Sequence, residues 1–207
     1  MTRASFVSRN IVARVLRSTG VALLLVAATA PSAFAQAQHV RWDIISIIFG
    51  PPNPASAGGH ASARANDNSK ITVTGTGTFV APAGGGGTSS AATGGGMWTV
   101  CNAAGTVCTS GTYEVTGLVR WEQAPGTPNP ANTDLIDDGE TSAGFAVLRV
   151  AYNDGERGIL VVSCHLIGTP DSVFEGITAS KGFANYWNRE APPAPPGNAN
   201  RTVFHIQ

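Results

Sequence analysis

Apolar and polar residues alternate along several stretches of the chain, and this period of two predicts β-strands. The clearest alternation runs through YEVTGLVRW, where Tyr113, Val115, Gly117, Val119 and Trp121 share one face that we expect to be buried. RWDIISIIF, KITVTGTGTFV and RTVFHIQ combine high β-propensity with partial alternation. Turn-forming Gly, Pro, Asn or Asp residues separate these runs, as is typical of strands, and the pattern predicts about nine strands.

The segment FAVLRVAYNDGERGILVVSCHLI contains the strongest hairpin signal in the sequence. Asp154-Gly155 between two apolar runs predicts a two-residue type I′ turn, in which both central residues need a positive φ. That turn pairs Val150 with Ile159. Both faces of the hairpin are then apolar, so we expect it to lie centrally with a cover on each side.

One segment near the C-terminus has the spacing of a helix. Phe183, Tyr186 and Trp187 follow one another at i, i+3 and i+4, which predicts one or two helical turns over residues 182–188. The predicted fold class is therefore all-β, either an antiparallel β-sandwich or a flattened β-barrel, with one short C-terminal helix that caps one end.

The N-terminus has the pattern of a secretory signal. Arg3, Arg9, Arg14 and Arg17 precede a short apolar run, and Ala33-Phe34-Ala35 supplies the small residues of a cleavage site. We expect cleavage after Ala35 and a secreted or periplasmic protein. The apolar run is shorter than the roughly 20 residues of a membrane span, and no later segment approaches that length, so no transmembrane segment is predicted in the mature chain.

Removal of residues 1–35 leaves one predicted β domain, residues 36–207, of a size that supports a single core. Gly/Pro-rich loops are expected at 50–58, 81–96, 124–143 and 191–200. Cleavage also removes four of the 13 basic residues and none of the 13 acidic ones, which leaves 9 against 13 and a net charge of about −4. Without a basic cluster, nucleic acid is not a predicted partner.

The cysteines suggest a structural role. If WTVCNAAGTVC turns at Ala104-Gly105, then Cys101 and Cys108 oppose each other across two strands, within disulfide reach. An oxidising compartment favours the bond. Cys164 is then either a buried small apolar residue or a rival partner for one of the other two. Zinc is less favoured, because the four histidines are scattered.

Two other sets of residues are candidates for chemistry. Adjacent residues on a strand point to opposite faces, so Cys164 and His165 do not activate each other, and His165 with Glu175 or Lys181 becomes the candidate acid–base group. The simpler alternative is a surface histidine beside a local Glu/Lys pair. Asp134, Asp137, Asp138 and Glu140 form a weak calcium candidate, although their spacing does not match an EF-hand and a solvated acidic loop is the better interpretation.

A resemblance adds to this reading. GTGTF, GGGMWTV, YEVTGLVRWEQAPG, the long run from AVLRVAY to YWNRE, and ANRTVFH resemble a group of small secreted bacterial proteins without an assigned activity. The resemblance covers residues 70–207, implies a compact exported β domain and supplies no catalytic residue.

No nucleotide-binding, hydrolase or zinc-protease motif is present, and no cofactor is predicted. The favoured hypothesis is a non-enzymatic binding or structural module whose partner is an unknown small molecule or an envelope component. The alternatives are a small pocket enzyme of hydrolase or cyclase type, which would use His165, and a calcium-dependent surface protein.

Overall fold

The computed structural model describes residues 37–82, 87–136 and 139–207. The predicted signal at 1–35 lies outside the described residues, as do Asp137 and Asp138. Within the described ranges the chain is all-β, with fourteen strands and no helix. The strands are β1 Gln38–Ile47, β2 Asn53–Ala57, β3 Ala61–Arg64, β4 Lys70–Val73, β5 Thr76–Ala81, β6 Ala92–Cys101, β7 Cys108–Ala124, β8 Asn132–Asp134, β9 Glu140–Tyr152, β10 Arg157–Cys164, β11 Gly176–Lys181, β12 Ala184–Tyr186, β13 Asn188–Arg189 and β14 Thr202–Ile206.

Six of these strands close a barrel. The antiparallel ring runs from β1 through β5, β6, β7, β9 and β14 and returns to β1. Closure gives every strand of the ring two partners, which removes the open edges that a sheet would otherwise leave. Of the two predicted architectures, the structure therefore has the barrel, with further strands attached to it.

The barrel interior is filled by large side chains that alternate along the strands. Val40, Trp42 and Ile44 of β1 point inward and are fully buried, because successive residues of a strand face opposite sides. Trp121 packs edge-on against Phe204 with 4.6 Å between ring centroids. This aromatic layer forms the centre of the main core.

Glycines in the Thr/Gly run of β4 and β5 make room for this layer. A Cβ on Gly77 would lie 2.2 Å from the Thr93 carbonyl oxygen and 2.8 Å from the Trp42 indole nitrogen. Neither separation is compatible with a side chain. The alternation of Thr and Gly in KITVTGTGTF thus places glycine where the Trp42 ring approaches the backbone.

The remaining strands extend the barrel wall. From β9 the sheet continues through β10, β11 and β12, and from β6 it continues through β4, β3 and β13. Strands β2 and β8 form a short parallel pair beside the end of β1. On the outer face of the barrel, a small second core is built from Ile45, Ile47, Ala55 and Val203. This outer core positions the candidate site described below.

The predicted C-terminal helix over residues 182–188 is wrong. Gly182 has a positive φ of 56° and turns the chain from β11 into β12. Phe183 and Trp187 are exposed, whereas Tyr186 is buried on the inner side of β12. The helical spacing of the three aromatics arises by chance, because only one of them faces the core.

The β9–β10 hairpin forms with a register one residue away from the prediction. Its loop has three residues, Asn153-Asp154-Gly155, since the Tyr152 N–H donates to the Glu156 carbonyl oxygen at 2.9 Å. Only Gly155 has a positive φ, which a type I′ turn would also require of Asp154. Val150 therefore pairs with Gly158, and Leu148 with Leu160.

The alternation along β7 is confirmed at four of the five predicted inward positions and wrong at Val119. Tyr113, Val115, Gly117 and Trp121 are buried as predicted, but Leu118 is buried in place of the half-buried Val119. The register against β9 shifts between Val115 and Gly117 and again after Leu118. Each β-bulge adds a residue to one strand and so exchanges the two faces beyond it.

Short strands also occur within segments that the sequence predicts to be loops. β2 lies within 50–58, β6 begins within 81–96, and β8 and the start of β9 lie within 124–143.

Among the described residues, no helix is long and apolar enough to cross a membrane.

Candidate ligand cavity on the outer face of the barrel

His165 lies directly after β10, with its ring held in a defined tautomer. Its Nδ1 is 2.7 Å from the Val173 carbonyl oxygen. A carbonyl oxygen only accepts hydrogen bonds, so Nδ1 carries the proton and Nε2 of the neutral ring has a free lone pair. Nε2 has no hydrogen-bond partner in the described part of the chain. His165 therefore presents an oriented acceptor.

Glu175 fastens the end of β10 to the start of β14. Its Oε2 accepts from the His165 backbone N–H at 2.6 Å, and its Oε1 accepts from the Thr202 backbone N–H at 2.5 Å. Burial raises the pKa of Glu175 to about 8, although the two N–H donors and nearby Arg201 act in the opposite direction. The two predicted site residues, His165 and Glu175, thus lie together.

A cavity of about 380 Å³ lies beside these two residues, against the outer face of β1 and β14. Strands β2 and β8 contribute Ala55 and Asp134 to its lining. Polar residues from separate segments line it as well, among them His165, Glu175 and Arg201. Its apolar lining consists mainly of Ile45, Ile47, Ala55, Leu166, Ile167 and Val203.

A hydrogen-bonded polar pair joins this lining to the barrel wall. His205 is fully buried on β14, and its Nε2 donates to Asp134 Oδ2 at 2.7 Å, while Thr141 Oγ donates to the same oxygen at 3.1 Å. Burial acts to raise the pKa of Asp134, but hydrogen bonds from His205, the Ile136 N–H and Thr141 lower it, and the net shift is downward. Asp134 is therefore engaged as a structural carboxylate.

The calcium candidate does not assemble within the described residues. Asp134 is hydrogen-bonded to His205, Glu140 is exposed at the start of β9, and Asp137 and Asp138 lie outside the described residues. In the ranges that the structure describes, no group of three or more His, Cys, Asp or Glu side chains is placed to hold a metal ion.

Lys181 is not part of this site. Its ammonium group pairs with Asp154 and Glu156 and lies 4.3 Å from the ring centroid of Trp98 and 5.1 Å from that of Tyr152. Burial acts to lower the pKa of Lys181, but the hydrogen bonds to the two carboxylates raise it. The predicted group of His165, Glu175 and Lys181 is thus divided between two places.

The cysteines have structural positions. Cys101 and Cys108 oppose each other on β6 and β7 and form a disulfide, as predicted. Cys164 is free and fully buried, and burial raises the pKa of its thiol well above the ordinary value. Neither arrangement provides a reactive thiolate.

Sequence reasoning did not identify Arg201, Asn129 or Asn132 as lining residues. Arg201 follows a Pro-rich segment, and the two asparagines lie in a segment predicted to be a loop. No local motif marks any of them, because the cavity is assembled from segments that are distant in sequence. Comparison of the chain with family models, with curated proteins and with solved structures found no match.

Proposed function

We propose that this protein is an exported binding module that holds a small organic molecule in the cavity on the outer face of β1 and β14. The observation that carries the proposal is the cavity itself, whose volume of about 380 Å³ lies in the range of small-molecule sites. The basic residues, apolar run and Ala33-Phe34-Ala35 of the N-terminal segment support export.

The lining indicates the general chemistry of the ligand. Aliphatic side chains of the outer core provide an apolar wall, and His165 adds an acceptor whose direction is set by the Val173 carbonyl. Ligand sites typically combine a mainly apolar surface with a few oriented polar groups. The ligand should therefore have an apolar body and a polar group that donates a hydrogen bond to Nε2 of His165.

Acid–base catalysis by His165 with Glu175 or Lys181 has less support. Both oxygens of Glu175 already accept backbone N–H groups, so its carboxyl group acts as a clamp between strands. Lys181 is engaged by Asp154 and Glu156 in another part of the molecule. A general acid–base pair needs a second group that is free to exchange a proton with the substrate, and neither the doubly bonded Glu175 nor the distant Lys181 is free in this way.

The test is a fluorescence titration of the protein with phenylnaphthylamine, a neutral probe that becomes bright in apolar surroundings. We expect saturable binding to the wild-type protein. Ala55→Phe places a ring in the cavity and should weaken binding at least about tenfold, a loss of about 1.4 kcal/mol. Ala57→Phe is the matched control, because Ala57 lies on the same strand, is exposed and does not line the cavity.

Two results would contradict the proposal. The first is the absence of any saturable signal with the wild-type protein. The second is equal affinity of the Ala55→Phe and Ala57→Phe variants, which would place the probe outside the cavity.

A further inference from the structure

We propose that the ligand of this cavity is an organic anion, a small carboxylate or sulfonate with an apolar body, and that Arg201 is the residue that selects it. This inference rests on the proposed binding function and adds the charge of the ligand to it.

Arg201 has unused hydrogen-bonding capacity. Its guanidinium group has five N–H donors, of which Nη2 donates to the Pro193 carbonyl oxygen at 3.3 Å. Its Nε is buried without a hydrogen-bond partner, and its Nη1 donates no hydrogen bond to any described residue, so Nη1 is the donor left for a ligand. Buried polar groups in folded proteins are nearly always paired. An arginine that lines a cavity with free donors is therefore suited to an acceptor supplied by a ligand.

The charge of Arg201 is also uncompensated. No carboxylate in the described part of the chain forms an ion pair with it, and the two acids that line the cavity are engaged elsewhere. Asp134 accepts from His205, and Glu175 accepts from two backbone N–H groups. Because burial raises the pKa of Glu175 to about 8, its carboxyl group is mostly protonated at neutral pH and leaves the nearby arginine charge without a counter-ion.

The backbone places Arg201 and His165 close together. Glu175 binds the N–H of His165 with one oxygen and the N–H of Thr202 with the other, so residue 201 reaches the cavity beside His165. The guanidinium carbon lies 5.2 Å from the centroid of the Phe49 ring, a cation–π contact that restricts its plane. A planar guanidinium in a fixed orientation suits the two oxygens of a carboxylate.

The remainder of the cavity fits the apolar part of such a molecule. Ile45, Ile47 and Val203 form a continuous aliphatic surface on the same face of the barrel as Arg201. An inorganic anion would leave that surface in contact with water, whereas an apolar body would cover it. The combination of a free cation and an aliphatic wall therefore favours an amphipathic organic acid.

The experiment compares two probes that share one aromatic skeleton. Anilinonaphthalenesulfonate has an anionic sulfonate, and phenylnaphthylamine is its neutral parent. We expect the wild-type protein to bind the anion about tenfold more tightly, as a hydrogen bond to a charged group would give. The preference should decrease with salt to the extent that the guanidinium is reached by solvent.

Variants locate the preference at Arg201. Arg201→Gln should bring the two affinities within about threefold, and Arg201→Lys, which keeps the charge, should restore part of the difference. Arg149→Gln removes the same charge from an exposed position on β9 and should leave the preference unchanged. Equal affinities for the two probes in the wild-type protein, or an unchanged preference in Arg201→Gln, would overturn the inference. Failure of both probes to bind would overturn the proposed function itself.

Discussion

The buried Lys181 and the half-buried Arg201 are two cations with opposite surroundings. Lys181 lies between the carboxylates of Asp154 and Glu156 and over the rings of Trp98 and Tyr152. Arg201 has a ring beneath it but no carboxylate paired with it in the part of the chain that the structure describes. Lys181 is therefore paired with carboxylates of the same chain, whereas Arg201 keeps N–H donors without a hydrogen-bond partner among the described residues.

The difference separates a structural residue from a candidate binding residue. A group whose charge and hydrogen bonds are satisfied within the chain has little to offer a ligand, and its loss should affect stability. A group at a cavity whose hydrogen bonds are partly unsatisfied can bind a ligand, and its loss should affect ligand binding more than stability. Substitutions at Glu175, Lys181 and Arg201 should therefore differ in whether they reduce stability or ligand preference.

The largest effect is expected for Glu175→Ala. The change leaves the backbone N–H groups of His165 and Thr202 without their acceptor, and each buried unpaired donor costs about 1–3 kcal/mol. We expect the free energy of unfolding to fall by about 3 kcal/mol in urea titrations. Glu114→Ala is the control, because Glu114 is exposed on β7, and a loss of similar size there would argue against the clamp.

Lys181→Met should have the next largest effect, about 2 kcal/mol of lost stability, since it removes the charge from between two rings and two carboxylates. Affinity for both naphthalene probes should stay within about twofold of wild type, because Lys181 does not line the cavity. Lys70→Met, at the other lysine of the chain, provides the comparison. A stable Lys181→Met variant that no longer binds would reverse the assignment of the two cations.

A pH effect on stability is expected from Glu175. Its pKa is about 8 in the folded protein against an ordinary value of 4.5, so the folded state holds a proton that the unfolded state has lost between these pH values. The contribution of Glu175 to stability is therefore greatest below about pH 4.5 and decreases as the pH rises toward 8, by at most about 1.4 kcal/mol per pH unit.

Glu175→Gln does not titrate and should lose this part of the pH dependence. The measurement is the free energy of unfolding at several pH values between 5 and 8 for both proteins. The difference between the two curves isolates the contribution of Glu175 from that of every other titratable group. Parallel curves would mean that Glu175 is ionised throughout.

Local patterns were sufficient to predict part of the fold. The all-β class and the Cys101–Cys108 disulfide follow from alternation and from one short turn, and both are confirmed. The errors in the predicted β9–β10 register and in the predicted inward face of β7 arise where one extra residue reverses which side chains point inward. The three-residue loop at Asn153–Gly155 and the bulges in β7 are set by pairing with other strands, so a periodicity of two does not reveal them.

The candidate site was predicted less completely, for a related reason. His165 and Glu175 are ten residues apart, and their proximity is local enough to anticipate. Arg201 joins them only because β14 pairs with β9 and β1 to close the barrel. A site assembled by closure has no contiguous motif, and an isolated arginine after a Pro-rich segment has no feature that sets it apart.

The smallest stability effect is expected at Arg201, and it completes the contrast with Lys181. Arg201→Gln removes one weak hydrogen bond and a cation–π contact, so the free energy of unfolding should change by no more than about 0.5–1 kcal/mol. The same variant should lose the preference for the anionic probe. Thermal melting of wild-type, Arg201→Gln and Lys181→Met proteins beside probe titrations measures both properties in one set of samples. If Arg201→Gln destabilises the protein as much as Lys181→Met does, then Arg201 is a structural cation and the cavity lacks the charge that we assign to its ligand site.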